Sequence, residues 1–447
     1  MVLLDGCRAA LPLGQSSPGN RVTITGEKGN WNLTVNGKPF QLKGVGVGYA
    51  RGADGTDYLA MARELGANTV RTWGTRQGTP EYLNRAHREG LYVNAGIWLN
   101  PVYEDGTCSY LTDAAYQRQV RRETLDYVKK HRRHPAILFW NIGNEVISFT
   151  KREEERVGFA RFLEQLVQEV HALDPDHPVV YTSSFTTDVP YIQQYVPSVD
   201  LIGLNIYGGL EAAHLEVTTR LNIPYVVTEF GPLGPWDRPR DLNGRPVDLT
   251  DAEKAVLYQE HGELIRSYRG YCLGGFAFLL GETSQASLTW WNMNYKRYRR
   301  RPFLTVKELY TGEPTQNYPP VVSALELSKQ QNLQPGEEFE IRVAVREPEG
   351  EAVHIQYVAS TDRDHGVFEE SPNQEIPLKV VAGEGPVKAQ APAESGMYRI
   401  YALAIDPHGL AGTLSRTISV AEHGHGESRF GDSHPGSSGG AVLNSDR

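Results

Sequence analysis

Two glutamates stand where apolar runs stop. In "ILFWNIGNEV" (137–146) a run broken only by Asn141 ends on Gly143, and Asn144 and Glu145 follow side by side. In "YVVTEFG" (225–231) a second run ends on Glu229, followed by Phe230 and Gly231. A single glutamate at a strand end reads as a rim salt bridge. Two of them, one preceded by an amide and one followed by an aromatic and a glycine, imply paired carboxylate chemistry. Glycoside hydrolysis needs such a pair: one carboxyl group protonates the leaving oxygen while the other attacks the anomeric carbon or activates water.

That chemistry requires elements that bring the two carboxylates face to face. From residue 21 to about 313 short apolar runs alternate with amphipathic helical patterns. The runs at 42–49, 68–74, 91–99, 137–146, 178–184, 200–208, 225–231 and 273–280 read as strands. Each is followed by a helical pattern or a short substitute, the segment 190–195 being the shortest. Thr79 and Pro80 open one helix and Gly90 closes it; Gly66 closes another. Strands apolar on both faces imply a parallel sheet covered by helices, and eight such units imply a closed (β/α)8 TIM barrel. An open doubly wound sheet is the alternative, but no phosphate-binding glycine fingerprint follows the first strand. "GVGVG" (44–48) reads instead as tight backbone at the barrel rim.

In a (β/α)8 barrel the site lies at the C-terminal strand ends. Strand by strand these carry Tyr49; Arg71 and Trp73; Trp98 and Asn100; Asn144 and Glu145; Ser184; Asn205 and Tyr207; Glu229 and Phe230; and Glu282. Strands four and seven lie across the mouth, so Glu145 and Glu229 can face one another over a sugar. Trp73, Trp98, Trp290 and Trp291 are candidate platforms, because an aromatic face stacks on a pyranose. The loop "GETSQASLTWWNMNY" (281–295) is expected to bring Trp290, Trp291 and Tyr295 to the mouth. Arg71 is either a structural ion pair or the group that holds the nucleophile ionised.

The remainder of the chain bounds the reading. With 447 residues and a net charge of −9, it is too long for one compact domain and offers nothing to a polyanion; no nucleic-acid partner is expected. The basic runs "KKHRRH" (129–134) and "YKRYRRR" (295–301) read as solvated surface. No stretch is long and apolar enough to span a bilayer. Cys7, Cys108 and Cys272 show no metal-ligand spacing, so neither a metal nor another cofactor is expected. Residues 318–421, with alternating strands and Pro and Gly turns, read as a second all-β domain of immunoglobulin or fibronectin type. "SGMYRIYALAIDPHGLAG" (395–412) would be its last hairpin; a spacer or packing role is expected of the domain, with carbohydrate binding as the alternative. Residues 1–20 and the Gly-, Ser- and His-rich tail 422–447 read as disordered. "LLDGC" (3–7) is similar to the end of a lipoprotein signal, which suggests a secreted, periplasmic or lipid-anchored protein and leaves the cytoplasm open. Nothing in the sequence bears on oligomeric state.

"FWNIGNEV" and "YVVTEFG" resemble the acid/base and nucleophile strands of retaining β-glycosidases of the large (β/α)8 clan, which holds glycoside hydrolase families 2, 5 and 72. "LTVNGKPFQLKGVGVGYA" resembles the entry into the family 2 barrel, and "NTVRTW" its second strand. "GNEV" and "TEFG" also resemble the family 72 β-1,3-glucanosyltransferases. The resemblance covers about residues 30 to 310. It implies that Glu145 is the acid/base, Glu229 the nucleophile, Asn144 the amide for the sugar 2-hydroxyl, Tyr207 the tyrosine beside the nucleophile and Arg71 the supporting arginine. The sequence departs from the pattern after strand one, where "GVGVGYA" replaces a His-rich stretch. It departs again at the end of strand eight, where "FAFLLGE" lacks the usual tryptophan and leaves that place to Trp290 or Trp291. The expected activity is that of a retaining β-glycosidase acting on β-glucan or β-gluco-oligosaccharides, with hydrolysis, transfer or both. The rival is a barrel that binds carbohydrate without turning it over.

Overall fold

The computed structural model describes residues 19–283, 285–363, 373–381 and 386–421. The expected disorder of residues 1–18 and 422–447 lies outside them. Asn20 departs from the expected disordered segment: it is buried, and its Oδ1 accepts a hydrogen bond from Asn36 Nδ2 at 2.9 Å.

A three-stranded antiparallel ribbon comes first, β1 (Val22–Thr25), β2 (Asn32–Val35) and β3 (Lys38–Pro39). Asn36 and Gly37 join the last two with φ of 52° and 75°, the paired positive values that a two-residue hairpin turn needs. Val22, Leu33 and Val35 pack with Leu42, Leu138, Val180, Leu201, Val226 and Phe276. The ribbon therefore closes the N-terminal end of the barrel and leaves the opposite end for the site.

The barrel strands follow as β4 (Leu42–Gly46), β5 (Thr69–Arg71), β6 (Tyr92–Ile97), β7 (Ile137–Asn144), β8 (Val179–Ser184), β9 (Leu201–Ile206), β10 (Tyr225–Phe230) and β11 (Cys272–Ala277). They form a closed parallel barrel in sequence order, as the two-sided apolar runs predict. Around it lie α1 (Tyr58–Glu64), α2 (Pro80–Arg88), α3 (Ala114–His131), α4 (Val146–Phe149), α5 (Glu153–Leu173), α6 (Val189–Tyr195), α7 (Leu210–Arg220), α8 (Asp251–Ser267) and α9 (Arg301–Thr311). The expected start and stop signals operate. Thr79 caps α2 through the amide of Tyr82, with Pro80 in the first turn, and Gly90 follows at φ 74°. Thr250 and Glu253 form a reciprocal capping box on α8.

Residues 318–421 supply β14–β21 after the short pair β12 (Asn294–Tyr295) and β13 (Tyr298–Arg299). These are β14 (Val321–Leu327), β15 (Glu338–Arg346), β16 (His354–Thr361), β17 (Glu375–Ile376), β18 (Val380–Val381), β19 (Val387–Gln390), β20 (Gly396–Ile405) and β21 (Ala411–Val420). They form two four-stranded antiparallel sheets, β14-β15-β19-β18 and β17-β16-β20-β21, over a separate core that includes Phe339, Ile400 and Ile418. The long β20–β21 hairpin lies where "SGMYRIYALAIDPHGLAG" predicts it.

The expectation that both basic runs are solvated surface fails at a residue in each: His131 of the first is buried. Arg300, inside the second basic run, is wholly buried. It pairs with Asp251 and donates to Thr289 O at 2.8 Å, Asn292 O at 2.5 Å and Thr413 Oγ1 at 3.0 Å. The run spreads its charges over different surroundings, so a cluster of cations in sequence is not a solvated face in space.

Candidate active site

The end of β7 is built to turn. Gly143 has φ 81°, and Glu145 itself sits in the left-handed region at φ 57°, where a branched or bulky residue is strained and few non-glycine residues go. Surrounding bonds hold it there. Glu145 N donates to Thr182 O at 2.8 Å. Two residues on, Ile147 N donates to Tyr181 Oη at 3.1 Å, and that hydroxyl donates to Asp188 Oδ2 at 2.6 Å. Ser148 Oγ donates to Asp188 Oδ1 at 2.5 Å. The buried Asp188 carboxylate, pushed up to about 7 by burial, thus ties the first turn of α4 to β8. The strand is forced to deliver the glutamate side chain into the barrel mouth.

Glu145 is buried, and Asn205 Nδ2 donates to its Oε1 at 2.8 Å. Burial first, and then the charge of Glu229, push its carboxyl group up to about 8. Asn205 is oriented by Thr228, whose Oγ1 donates to Asn205 Oδ1 at 2.9 Å. Glu229 has a different shell. Its Oε1 accepts from Arg71 Nη1 at 2.6 Å and from Trp73 Nε1 at 2.7 Å, and its Oε2 accepts from the Tyr207 hydroxyl. Burial, and next the Glu229 charge, hold the Tyr207 phenol well above its ordinary range, so it stays a donor. Arg71 also donates to Asn144 Oδ1 at 2.7 Å. Asn205 Nδ2 reaches the same oxygen at 3.2 Å, so Arg71 and Asn205 both hold Asn144 by its oxygen.

Both glutamates line one cavity of about 1360 Å³ at the barrel mouth. Asn144, Asn205, Tyr207, Trp73, Trp98, Trp291 and Glu282 line it too, together with Tyr49 and Ser184. Glu282 accepts from the Tyr58 hydroxyl at 2.8 Å. Among the described residues no group of three or more His, Cys, Asp or Glu side chains is arranged to hold a metal ion.

Three expected site residues are placed otherwise. Trp290 is no platform: it is wholly buried, its indole donates to Leu233 O at 3.0 Å, and the loop after β10 covers it. Tyr295 turns away from the mouth and donates to Glu375 of the second domain at 2.9 Å. Arg71 is sealed from the cavity and reaches it only through Glu229 and Asn144. Trp73 does more than a platform would, because its indole N–H is spent on Glu229. Gly46 permits this, since a Cβ there would lie 2.8 Å from the Trp73 ring.

The sequence reading missed Trp236, Phe185 and Gln77. Trp236 and Phe185 line the cavity and are exposed. Gln77 Oε1 accepts from the Trp73 backbone amide at 2.7 Å. An aromatic in the Gly- and Pro-rich stretch "GPLGPWD" (231–237) was the signal available for Trp236.

Residues 27–232 match the model of the glycosyl hydrolases family 2 TIM barrel domain. The β-glucuronidase of Sus scrofa is 26% identical over 274 residues, covering 54% of this chain and 38% of the relative. The chain therefore spans well under half the length of such relatives. Among solved structures, Bacteroides uniformis β-glucuronidase superposes with a TM-score of 0.51 at 14% identity, over 90% of this chain and 48% of that one. The β-galacturonidase of Eisenbergiella tayi gives 0.50 at 18% identity, over 66% and 54%. At those identities the structures speak for the fold alone. Over residues 27–232, less than half of the chain, the barrel is similar to the family 2 TIM barrel domain, and the solved structures add the fold.

Proposed function

We propose that this protein is a retaining β-glycosidase in which Glu229 is the nucleophile and Glu145 the acid/base. One observation carries the reading: two glutamates from β7 and β10 share a cavity in opposite surroundings. Glu229 receives three donated hydrogens, the pattern of an acceptor-only carboxylate, while Glu145 is buried with one amide and pushed up to about 8. Glu145 holds a proton at neutral pH and gives it to the leaving oxygen as Glu229 attacks the anomeric carbon. The bond from that carbon to the leaving oxygen breaks and a glycosyl ester on Glu229 forms. Glu145, now ionised, takes a proton from water or from an acceptor sugar, whose oxygen displaces Glu229. Asn144 binds the 2-hydroxyl through its amide nitrogen. Arg71, Trp73 and Tyr207 hold Glu229 in place for attack.

The proposed substrate is a neutral β-glucan or β-gluco-oligosaccharide. The carboxyl and guanidinium groups lining the cavity are those of Glu145, Glu229, Asp237, Glu282 and Arg51. A sugar carboxylate would meet four carboxyl groups and one guanidinium, and that guanidinium already lies 3.9 Å from Asp57. Exposed Tyr49, Trp98, Phe185 and Trp236 stand on the loops after β4, β6, β8 and β10, where they offer stacking faces around the mouth for more than one sugar unit. Such faces favour an acceptor sugar over water, so transfer products are expected at high oligosaccharide concentration. The relatives' names support a second reading, a β-glucuronide substrate, in which Arg51 would have to leave Asp57 and take the uronate. The domain 318–421 is read as an immunoglobulin-like sandwich.

The test is turnover of matched aryl β-glucoside and β-glucuronide, followed by a product profile from a panel of β-glucans and NMR of the first product anomer. The β-anomer should form first, and the glucoside should be preferred. An α-anomer would exclude retention, preference for the glucuronide would transfer the assignment to the second reading, and binding without turnover would leave a carbohydrate-binding barrel.

A further inference from the structure

The second domain was expected to be a spacer or packing module, and part of its contact with the barrel does go to a loop away from the cavity wall, where Asn243 and Asp241 meet Thr417 and Pro246 O accepts from Arg399. Another part falls on an active-site segment. Residues 287–293 follow β11 and carry Trp291. On one side of this segment Trp291 lines the cavity, its ring 4.7 Å from that of Tyr207, whose hydroxyl is on Glu229. Trp291 O also accepts from Leu279 N at 3.1 Å. The other side is held by buried polar groups. Ser287 Oγ and Thr289 Oγ1 each donate to Asp248 Oδ2 at 3.0 Å, Lys254 Nζ donates to Thr289 O at 2.7 Å, and Arg300 holds the carbonyls of Thr289 and Asn292.

The second domain completes that frame. The Tyr401 hydroxyl of β20 accepts from Leu288 N at 3.0 Å. Thr413 of β21 accepts from Arg300 at 3.0 Å, and its amide donates to Asp251 Oδ2, the carboxylate paired with Arg300, at 3.1 Å. Leu288 and Tyr295 pack on Tyr401, Leu403, Ile405 and Ala411. Tyr401, Thr413, Arg300 and Asp251 are buried and Leu288 is half-buried, so the buried members depend on the partners they have: a buried donor left unpaired costs more than a formed bond gains. A spacer needs none of them.

We infer that the second domain is a positioning part of the active site. Through Tyr401 and Thr413 it fixes residues 287–293, so that Trp291 braces Tyr207 against Glu229. Tyr401 and Thr413 touch no substrate; they act through the segment they hold. The catalytic consequence rests on the glycosidase reading above, whereas the mechanical one does not.

The test uses the full chain. Tyr401→Phe and Tyr401→Phe/Thr413→Val remove the hydroxyls and keep the packing. Ile400→Val, in the core between the two sheets, is the control for a general loss of stability in the same strand. Two quantities are measured: hydrogen exchange of the amides from 287 to 293, and kcat/KM on an aryl β-glycoside. The interface variants should speed exchange in that segment and lower kcat/KM by about tenfold or more, mainly in kcat, as displacement of a group far from the chemistry does. Ile400→Val should change neither. Unchanged exchange in the interface variants overturns the inference. So does faster exchange with kcat/KM within twofold of wild type, or an equal loss in Ile400→Val. A wild-type chain that turns over no glycoside removes the glycosidase reading instead, and exchange alone then decides whether the second domain holds the segment.

Discussion

Glu145 and Glu229 stand at the ends of two strands of one barrel, and almost nothing else about their surroundings is alike. The β10 side is crowded with donors: a guanidinium, an indole and a phenol all point at Glu229. On the β7 side a buried carboxyl group meets one amide, with Asp188 behind it adding repulsion. Even the backbone differs, since Glu145 is held at positive φ by the Tyr181–Asp188–Ser148 bonds while Glu229 continues its strand. Residue type assigns no role here. In the proposed reaction the same carboxyl group would serve as nucleophile where donors hold its oxygens, and as acid where burial keeps its proton on.

The harshest test of that contrast removes the charge on the crowded side. Glu229→Gln should lower kcat/KM on every glycoside by about 10⁴-fold or more, because no covalent intermediate can form. Retention of substantial activity would break the assignment outright. Next comes Glu145→Ala, which should cost about 10²-fold to 10⁴-fold on oligosaccharides, the usual worth of a positioned acid. Aryl glycosides whose leaving group needs no proton should lose far less in the first step. Equal losses on both substrate types would mean that the two sides have been interchanged.

Much of this asymmetry was legible before any coordinates. The strand-end glutamates, the eight two-sided apolar runs and the helix signals at Thr79, Pro80 and Gly90 are local patterns, and local patterns survive folding. The functions of the aromatic and basic residues were not local. Trp73 and Trp290 look alike in sequence, but the first donates to Glu229, 156 positions away, and the second to Leu233, 57 positions away. Arg300 sits in a run of cations, yet its fate was set by Asp251 and Thr413, 49 and 113 positions distant. Tyr401 reaches Leu288 across 113 positions, which is why a domain read as a spacer proves to be wired to the site wall. Periodicity foretells which face a residue shares with its neighbours, not which distant group will meet it.

The donors on the crowded side should matter in smaller steps. Tyr207→Phe removes one hydrogen from Glu229 and leaves the ring; Trp73→Phe removes another and keeps a smaller aromatic ring in place. Each should cost about 10-fold to 100-fold in kcat with little change in KM, somewhat less than removing a donor aimed at a full transition-state charge. The two share one carboxylate, so the double variant should lose a different amount from the product of the single losses. Simple multiplicativity would show that the two donors act independently, and a rise in KM alone would make them substrate platforms instead.

The smallest expected effect is on stability, and it isolates the other side. Burial and the neighbouring charge raise the Glu145 carboxyl group from 4.5 in an unfolded chain to about 8 in the folded one. A group whose folded value is raised binds its proton more tightly when folded, so the stability it contributes is complete below about pH 4.5 and is lost as pH rises toward 8. Glu145→Gln keeps the shape and an oxygen for Asn205, and cannot ionise. The variant should therefore match wild type near pH 4.5, gain on it steadily through neutrality, and hold its full lead in Tm above pH 8. The same titration should close the alkaline limb of kcat/KM in wild type near pH 8, since the proton donor is then gone. A Tm difference that stays constant from pH 4.5 to 9 would mean that Glu145 titrates as an ordinary glutamate, and the asymmetry between the two carboxylates would then rest on the hydrogen bonds of Glu229 alone.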